Sequence, residues 1–232
     1  MSGQEIQITG PDGAFMAYLA TPATGKGPGL VLIQEIFGVN GWLRTVADDL
    51  AEKGYLVMCP DLFWRQQPGV QLTDQSEQDW ARAFELFQGF DRDKGVEDLA
   101  VTLAALRQRQ GSTGKVGCVG FCLGGQLAYL MACRTDVDAA VGYYGVHIQD
   151  FLDESGALSK PLMLHMPEKD EFVPPEAQQA VTEALSGNPG VTLHKYPDDD
   201  HAFARVGGAH YHKASADLAE HRTLSFLAAH LA

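Results

Sequence analysis

Three features of the chain predict an α/β fold class, a mostly parallel sheet flanked by helices on both faces and opened by an antiparallel N-terminal hairpin. Apolar runs of strand length alternate with helix-length segments almost to the end of the 232 residues, the pattern of a parallel sheet buried between helical layers. The run Val116-Gly117-Cys118-Val119-Gly120-Phe121-Cys122-Leu123-Gly124-Gly125 reads as a buried strand, a tight Gly-x-Cys-x-Gly turn and the start of a helix. That is the setting in which a nucleophile elbow holds a reactive side chain above a sheet, here with cysteine where serine is usual. Finally, Glu35, Cys122, the stretch from His165 to Asp170, and His201 each follow a predicted strand. Such positions gather along the carboxyl edge of the strands, where α/β sheets bind ligands.

The elements follow from local signals. Segments 4–9 and 16–20 flank Gly10-Pro11-Asp12-Gly13, a turn-rich joint that makes them a hairpin. Residues 29–34 form an apolar strand, and 41–53 a helix with Trp42, Val46 and Leu50 on one face, stopped at Gly54. A strand at 55–59 closes at Pro60-Asp61, and the Gln- and Pro-containing stretch 63–74 is an irregular loop, long enough to be functional. Helices are predicted at 74–89 and 91–109, the elbow strand at 116–120, and its helix at 123–133. Strands at 139–144 and 162–165, a helix at 174–185, a strand at 191–196 and a final helix at 210–230 complete the order. No repeat, linker or composition break appears, so residues 1–232 are expected to form one domain.

Composition narrows the function. A hydrophobic fraction of 45% is that of a compact globular enzyme. A formal charge of −13 argues against nucleic acid as a partner, because a phosphate backbone needs a basic stripe. The N-terminus lacks the basic and apolar regions of a signal peptide, and no apolar run approaches the roughly 20 residues that span a bilayer. Four irregularly spaced cysteines make no disulfide framework in a chain of this length. A cytoplasmic, reduced protein without a membrane partner is the expectation, with monomer as the default state.

Cys122, Asp170 and His201 follow one another in the chain order of an α/β-hydrolase triad. In those roles the Cys122 sulfur attacks an acyl carbonyl, His201 exchanges the proton, and Asp170 fixes the tautomer of the imidazole and stabilises its charged form. The plainer alternatives are a buried small hydrophobe for Cys122 and a loop or capping residue for Asp170. Cys59, Cys118 and Cys133 read as core. Asp198-Asp199-Asp200 reads as a solvated turn. His210 and His212 flank Tyr211 without a Glu or Cys partner at metal spacing, so no metal is expected. Gly120–Gly125 lacks the spacing and the Lys-Ser/Thr ending of a phosphate loop.

Several motifs together resemble one family. Gln34-Glu35-Ile36-Phe37-Gly38-Val39-Asn40, Cys59-Pro60-Asp61-Leu62, Gly120-Phe121-Cys122-Leu123-Gly124-Gly125, Val141-Gly142-Tyr143-Tyr144-Gly145-Val146 and His201-Ala202-Phe203-Ala204-Arg205 are similar to those of dienelactone hydrolase (carboxymethylenebutenolidase). The resemblance covers nearly the whole chain. It implies an α/β-hydrolase fold, a Cys-Asp-His triad on Cys122, Asp170 and His201, no cofactor, and hydrolysis of an unsaturated lactone in chloroaromatic degradation. It also implies that Glu35 holds the resting thiol and shifts toward Arg205 when substrate binds. A thiol kept neutral until then resists oxidation. Glu35 in an ordinary buried ion pair and Arg205 in a structural role are the alternatives. By the fold, the oxyanion hole takes the backbone N–H of Leu123 and that of Ile36.

The pattern departs at the second arginine that the family sets against its substrate's carboxylate. Trp80 stands at that position and Phe84 where a tyrosine is expected, while Ala202 replaces a common serine. Arg82, two helical residues on and so rotated by about 200°, should face away from Trp80. The expected substrate contacts are Arg205, Trp80, Phe84, Phe37 and Tyr144, and the expected substrate is a less anionic or more aromatic small-molecule lactone or ester. A broader carboxylesterase or thioesterase is the alternative within enzymes. Outside them, the chain could be a non-catalytic binder or a thiol redox sensor, which would need neither Asp170 nor His201 in triad order.

Overall fold

The computed structural model describes residues 3–232. The chain divides into two compact units, Met1–Gly117 and Cys118–Ala232.

In the first unit β1 (Gln4–Gly10) and β2 (Gly13–Ala20) form the predicted antiparallel hairpin, with Gln4 opposite Leu19 and Thr9 opposite Ala14. β2 pairs antiparallel with β4 (Leu56–Pro60), and β4 runs parallel to β3 (Gly27–Ile33). β3 and β4 are apolar and buried almost throughout, as strands covered on both faces must be. Each helix of this unit starts at a polar cap that takes up a free amide. Asn40 accepts from Leu43 N at α1 (Gly41–Glu52), Ser76 from Asp79 N at α2 (Glu77–Gln88), and Asp91 from Lys94 N at α3 (Arg92–Arg107). The start of α2 lies three residues later than the pattern suggests because Ser76 and Asp79 fold the preceding turn, Asp79 also accepting from Thr73 N at 2.8 Å. The irregular loop after β4 is drawn together by Asp61, whose carboxylate accepts from Phe63 N at 3.0 Å and Gly69 N at 2.7 Å.

The division falls within β5 (Ser112–Phe121), which is longer than the predicted core strand by an exposed, polar start. In the second unit α4 (Leu123–Arg134) is buried over most of its length, as a helix apolar all round must be. β6 (Ala139–Tyr143), β7 (Leu162–Pro167) and β8 (Val191–Tyr196) pair in parallel, with Tyr143 beside His165 and His165 beside His194. α5 (Pro175–Leu185) and α6 (Lys213–Leu231) complete the unit. A 3₁₀ segment, Ile148–Ala157, was not expected; Tyr129 Oη donates to the Phe151 carbonyl at 3.1 Å and Arg134 pairs with Glu154, tying it to α4. No helix among the described residues is long and apolar enough to cross a membrane.

His165 corrects one expectation. The strand expected to end there runs on to Pro167, so His165 sits inside β7, fully buried, rather than opening the loop that follows it. Arg222 donates to Tyr196 Oη at 3.2 Å, so the Tyr196 hydroxyl proton is directed to His165 Nδ1 at 2.7 Å. The Nε2–H of His165 then donates to Thr223 Oγ1 at 3.0 Å, which also meets Tyr143 Oη at 2.6 Å. Burial, reinforced by the charges of His194 and Arg222, holds the His165 pKa well below its ordinary value. The folded state therefore keeps His165 neutral while an unfolded imidazole takes a proton below about pH 6.5. Stability should fall as pH drops below that point, by up to about 1.4 kcal/mol per pH unit from this group. Urea unfolding between pH 5 and 8 should show a shallower slope in His165→Gln; parallel slopes would remove the effect from His165.

Candidate active site

The sharp turn after β5 sets the second unit's chemistry. Cys122 has φ 55 and ψ −115, a left-handed conformation that costs a non-glycine residue roughly 1–3 kcal/mol. Its N–H donates to the Tyr143 carbonyl at 3.0 Å, and its own carbonyl accepts from Gly125 N at 2.9 Å and Gln126 N at 3.2 Å. These bonds hold the strained residue between β6 and the first turn of α4. The flanking glycine follows from packing: a Cβ on Gly120 would lie 1.9 Å from the Gly124 carbonyl oxygen. The strand and helix can cross at this distance only without a side chain there.

Asp170 lies in the loop after β7 and is 4% exposed. Its Oδ1 accepts from Phe172 N at 2.9 Å, which leaves Oδ2 for His201 Nδ1 at 2.8 Å. His201 follows β8, and its N–H donates to Asp200 Oδ1 at 2.7 Å. With Nδ1 engaged, Nε2 is left for Cys122, with whose sulfur the ring hydrogen-bonds. The three predicted triad residues thus come together within one unit, each nearly buried.

Burial works to lower the His201 pKa, but the neighbouring Cys122 charge and the hydrogen bonds from Asp170 and Cys122 outweigh it, raising the imidazole to about 10. These contacts favour the protonated form of the His201 imidazole. Leu123 N–H, the first donor of that helix, has no partner within the helix, as an oxyanion donor requires.

Around the imidazole stand two rings, each edge to face. Tyr144 is buried with its centroid 5.0 Å away, and Phe172 lies 4.8 Å away. Tyr144 was expected as a substrate contact, and the structure places it against His201. Phe172 was missed; its signal was an aromatic side chain two residues after Asp170. Arg205 is buried in the loop that carries His201, its N–H donating to the Ala202 carbonyl at 2.9 Å. Ala202 itself has φ 63.

The remaining predicted residues belong to the first unit. Glu35 and Ile36 follow β3 and are buried. Phe37, also buried, meets Trp80 edge-on at 5.0 Å, and Trp80 stacks on Phe84 at 5.5 Å. The Trp80 indole N–H donates to the Asp74 carbonyl at 3.1 Å. Trp80 therefore presents an apolar plate, its only polar hydrogen already engaged. Arg82 pairs with Glu85 and donates to Gln67 Oε1.

Comparison with known proteins agrees over nearly the full length. A model of the dienelactone hydrolase family matches residues 15–231. The chain is 42% identical over 229 residues to the carboxymethylenebutenolidase of Pseudomonas putida, covering 98% of this chain and 97% of that one. A candidate carboxymethylenebutenolidase of Azospirillum brasilense is 49% identical over 224 residues, covering 96% of each chain. The crystal structure of a candidate dienelactone hydrolase from Klebsiella pneumoniae superposes with a TM-score of 0.88 at 27% identity, over 97% of this chain and 98% of that one.

Proposed function

Because the chain belongs to the dienelactone hydrolase family, we propose that it hydrolyses a small lactone or ester through Cys122, by way of a thioester acyl-enzyme. One observation carries this reading: the Asp170–His201 bond of 2.8 Å ends on an imidazole that hydrogen-bonds Cys122, itself held at φ 55 on an elbow. His201 holds the thiol proton, and the sulfur adds to the acyl carbon. The ring or ester C–O bond breaks as His201 returns that proton to the leaving oxygen. Water, deprotonated by His201, then attacks the thioester, the C–S bond breaks, and the sulfur leaves as the acid forms. The backbone N–H of Leu123 would receive the oxyanion, with Ile36 N–H as its counterpart by the family pattern. The roles of Glu35 and Arg205 in this reading likewise rest on that pattern. The family match across residues 15–231 supports a single hydrolase domain.

The substrate is proposed to be less anionic than a carboxylated dienelactone. The Phe37–Trp80–Phe84 cluster supplies aromatic faces where the family places a cation. Losing one charge-assisted contact is worth about 1.5–3 kcal/mol, roughly ten- to hundredfold in affinity. The test compares a carboxylated dienelactone, its neutral methyl ester and a simple aryl acetate. The neutral esters should show the higher kcat/KM, and Trp80→Arg should shift preference toward the acid. Turnover of the acid with low-micromolar KM by the unaltered protein would refute this specificity.

A further inference from the structure

The aspartates just before His201 and the two histidines after it, which the sequence pattern assigns to a solvated turn and an unconnected pair, form one structure. Asp199 is 4% exposed, and His212 Nδ1–H donates to its Oδ1 at 2.5 Å, with Ser215 Oγ 3.1 Å from the same nitrogen. The Asp199 main chain is bonded as well. Lys169 N–H donates to the Asp199 carbonyl at 3.0 Å, and Asp199 N–H to the Tyr196 carbonyl at 3.3 Å. Lys169 immediately precedes Asp170, and Asp199 stands two residues before His201. Asp200 continues the tie: Oδ1 accepts His201 N–H at 2.7 Å, and Oδ2 lies 3.7 Å from His210 Nδ1. The far end of the loop closes with His212 N–H donating to the Phe203 carbonyl at 2.9 Å.

From this arrangement we propose that His212, acting through Asp199, is a positioning residue for His201. Asp199 is bound through its main chain to the loop bearing Asp170 and lies in the loop bearing His201, so its placement sets the spacing of the acid and the base. A buried carboxylate stays in place only while paired, and His212 is the group that pairs it. Without His212 the Asp199 carboxylate turns toward water and shifts its main-chain bond to Lys169, together with the adjoining Asp200 that holds the His201 N–H. The inference rests on the triad reading of Cys122, Asp170 and His201.

The test measures kcat and KM with an aryl acetate for His212→Ala, His212→Asn and Asp199→Asn, alongside Cys122→Ala, and follows the His201 Nδ1 proton by NMR. A displacement near 1 Å costs about a hundredfold, so His212→Ala should lose roughly ten- to hundredfold in kcat with KM within about twofold. Its His201 Nδ1 resonance should shift or broaden. His212→Asn, which keeps an N–H donor near the Nδ1 position, should recover most of the rate. An unchanged kcat, equal rates for the alanine and asparagine variants, or a KM change as large as that in kcat would overturn the proposal. Should the alanine variant not fold, a full rate in Asp199→Asn would overturn it and a reduced kcat at constant KM would support it. Full activity in Cys122→Ala would remove the triad reading and this proposal with it. An inactive Cys122→Ala beside a fully active His212→Ala overturns the positioning role alone.

Discussion

Cys122→Ala is expected to lower kcat by about 10⁵–10⁶-fold, the loss seen when a triad nucleophile is removed and only binding and oxyanion contacts remain. The same change reaches the imidazole. Burial lowers the His201 pKa, and the Cys122 charge is the strongest of the contributions that raise it. Without the sulfur, the titration of His201 should move down from about 10, measurable by NMR of the labelled imidazole. The loss should also be visible as a missing thiol. Burial pushes the Cys59 thiol up strongly, that of Cys118 to about 12 and that of Cys133 to about 11. Alkylation near pH 8 should therefore leave Cys59, Cys118 and Cys133 almost unlabelled, so that any labelling lost in the variant reports Cys122. A variant retaining more than about a hundredth of the rate would sink the nucleophile assignment, since no other group could supply that acceleration.

Asp170→Asn should cost about 10⁴-fold in kcat with little change in KM. The direction follows from the two bonds the carboxylate accepts. Phe172 N–H occupies Oδ1, so an asparagine must keep its carbonyl oxygen there. Its amide nitrogen then faces His201 Nδ1, where Oδ2 stands now at 2.8 Å. An amide donor at that position makes Nδ1 the acceptor and places the imidazole proton on Nε2. The ring then offers Cys122 a donor where a base is needed. Nitrogen chemical shifts of His201 should report the reversed tautomer. A loss below tenfold, or an unaltered tautomer, would remove Asp170 from its proposed role.

How much of this was readable beforehand depended on whether a feature was local. β3 announces itself as an unbroken apolar run, and Asn40, Ser76 and Asp91 mark helix starts through the chemistry of their own side chains. The elbow was legible because Gly120 is demanded by a contact only four residues away. The features that escaped depend on partners distant in sequence. His165 lies in an apolar strand and is tolerated only because Tyr196 and Thr223, the latter 58 residues on, satisfy its ring. The 3₁₀ segment shows no helical period and is held by Tyr129 and Arg134 from α4. Trp80 could be placed on its helix, but the engagement of its N–H by Asp74 depended on how the preceding turn folds. Asp199 looked solvated among three consecutive aspartates, and only its burial against His212 distinguishes it.

The hydrogen bond from Cys122 N–H to the Tyr143 carbonyl has a kinetic meaning. A strained turn anchored only in a mobile surface loop can relax by local opening, with its reactive group drifting as temperature rises. Here the anchor is the last residue of a buried strand, and the turn's carbonyl is bound into the first turn of a buried helix. Opening such a turn belongs to the high-energy class of motions that approach global unfolding. Proton exchange at the Cys122 amide should then be among the slowest in the chain, and the sulfur's placement should last as long as the fold itself does.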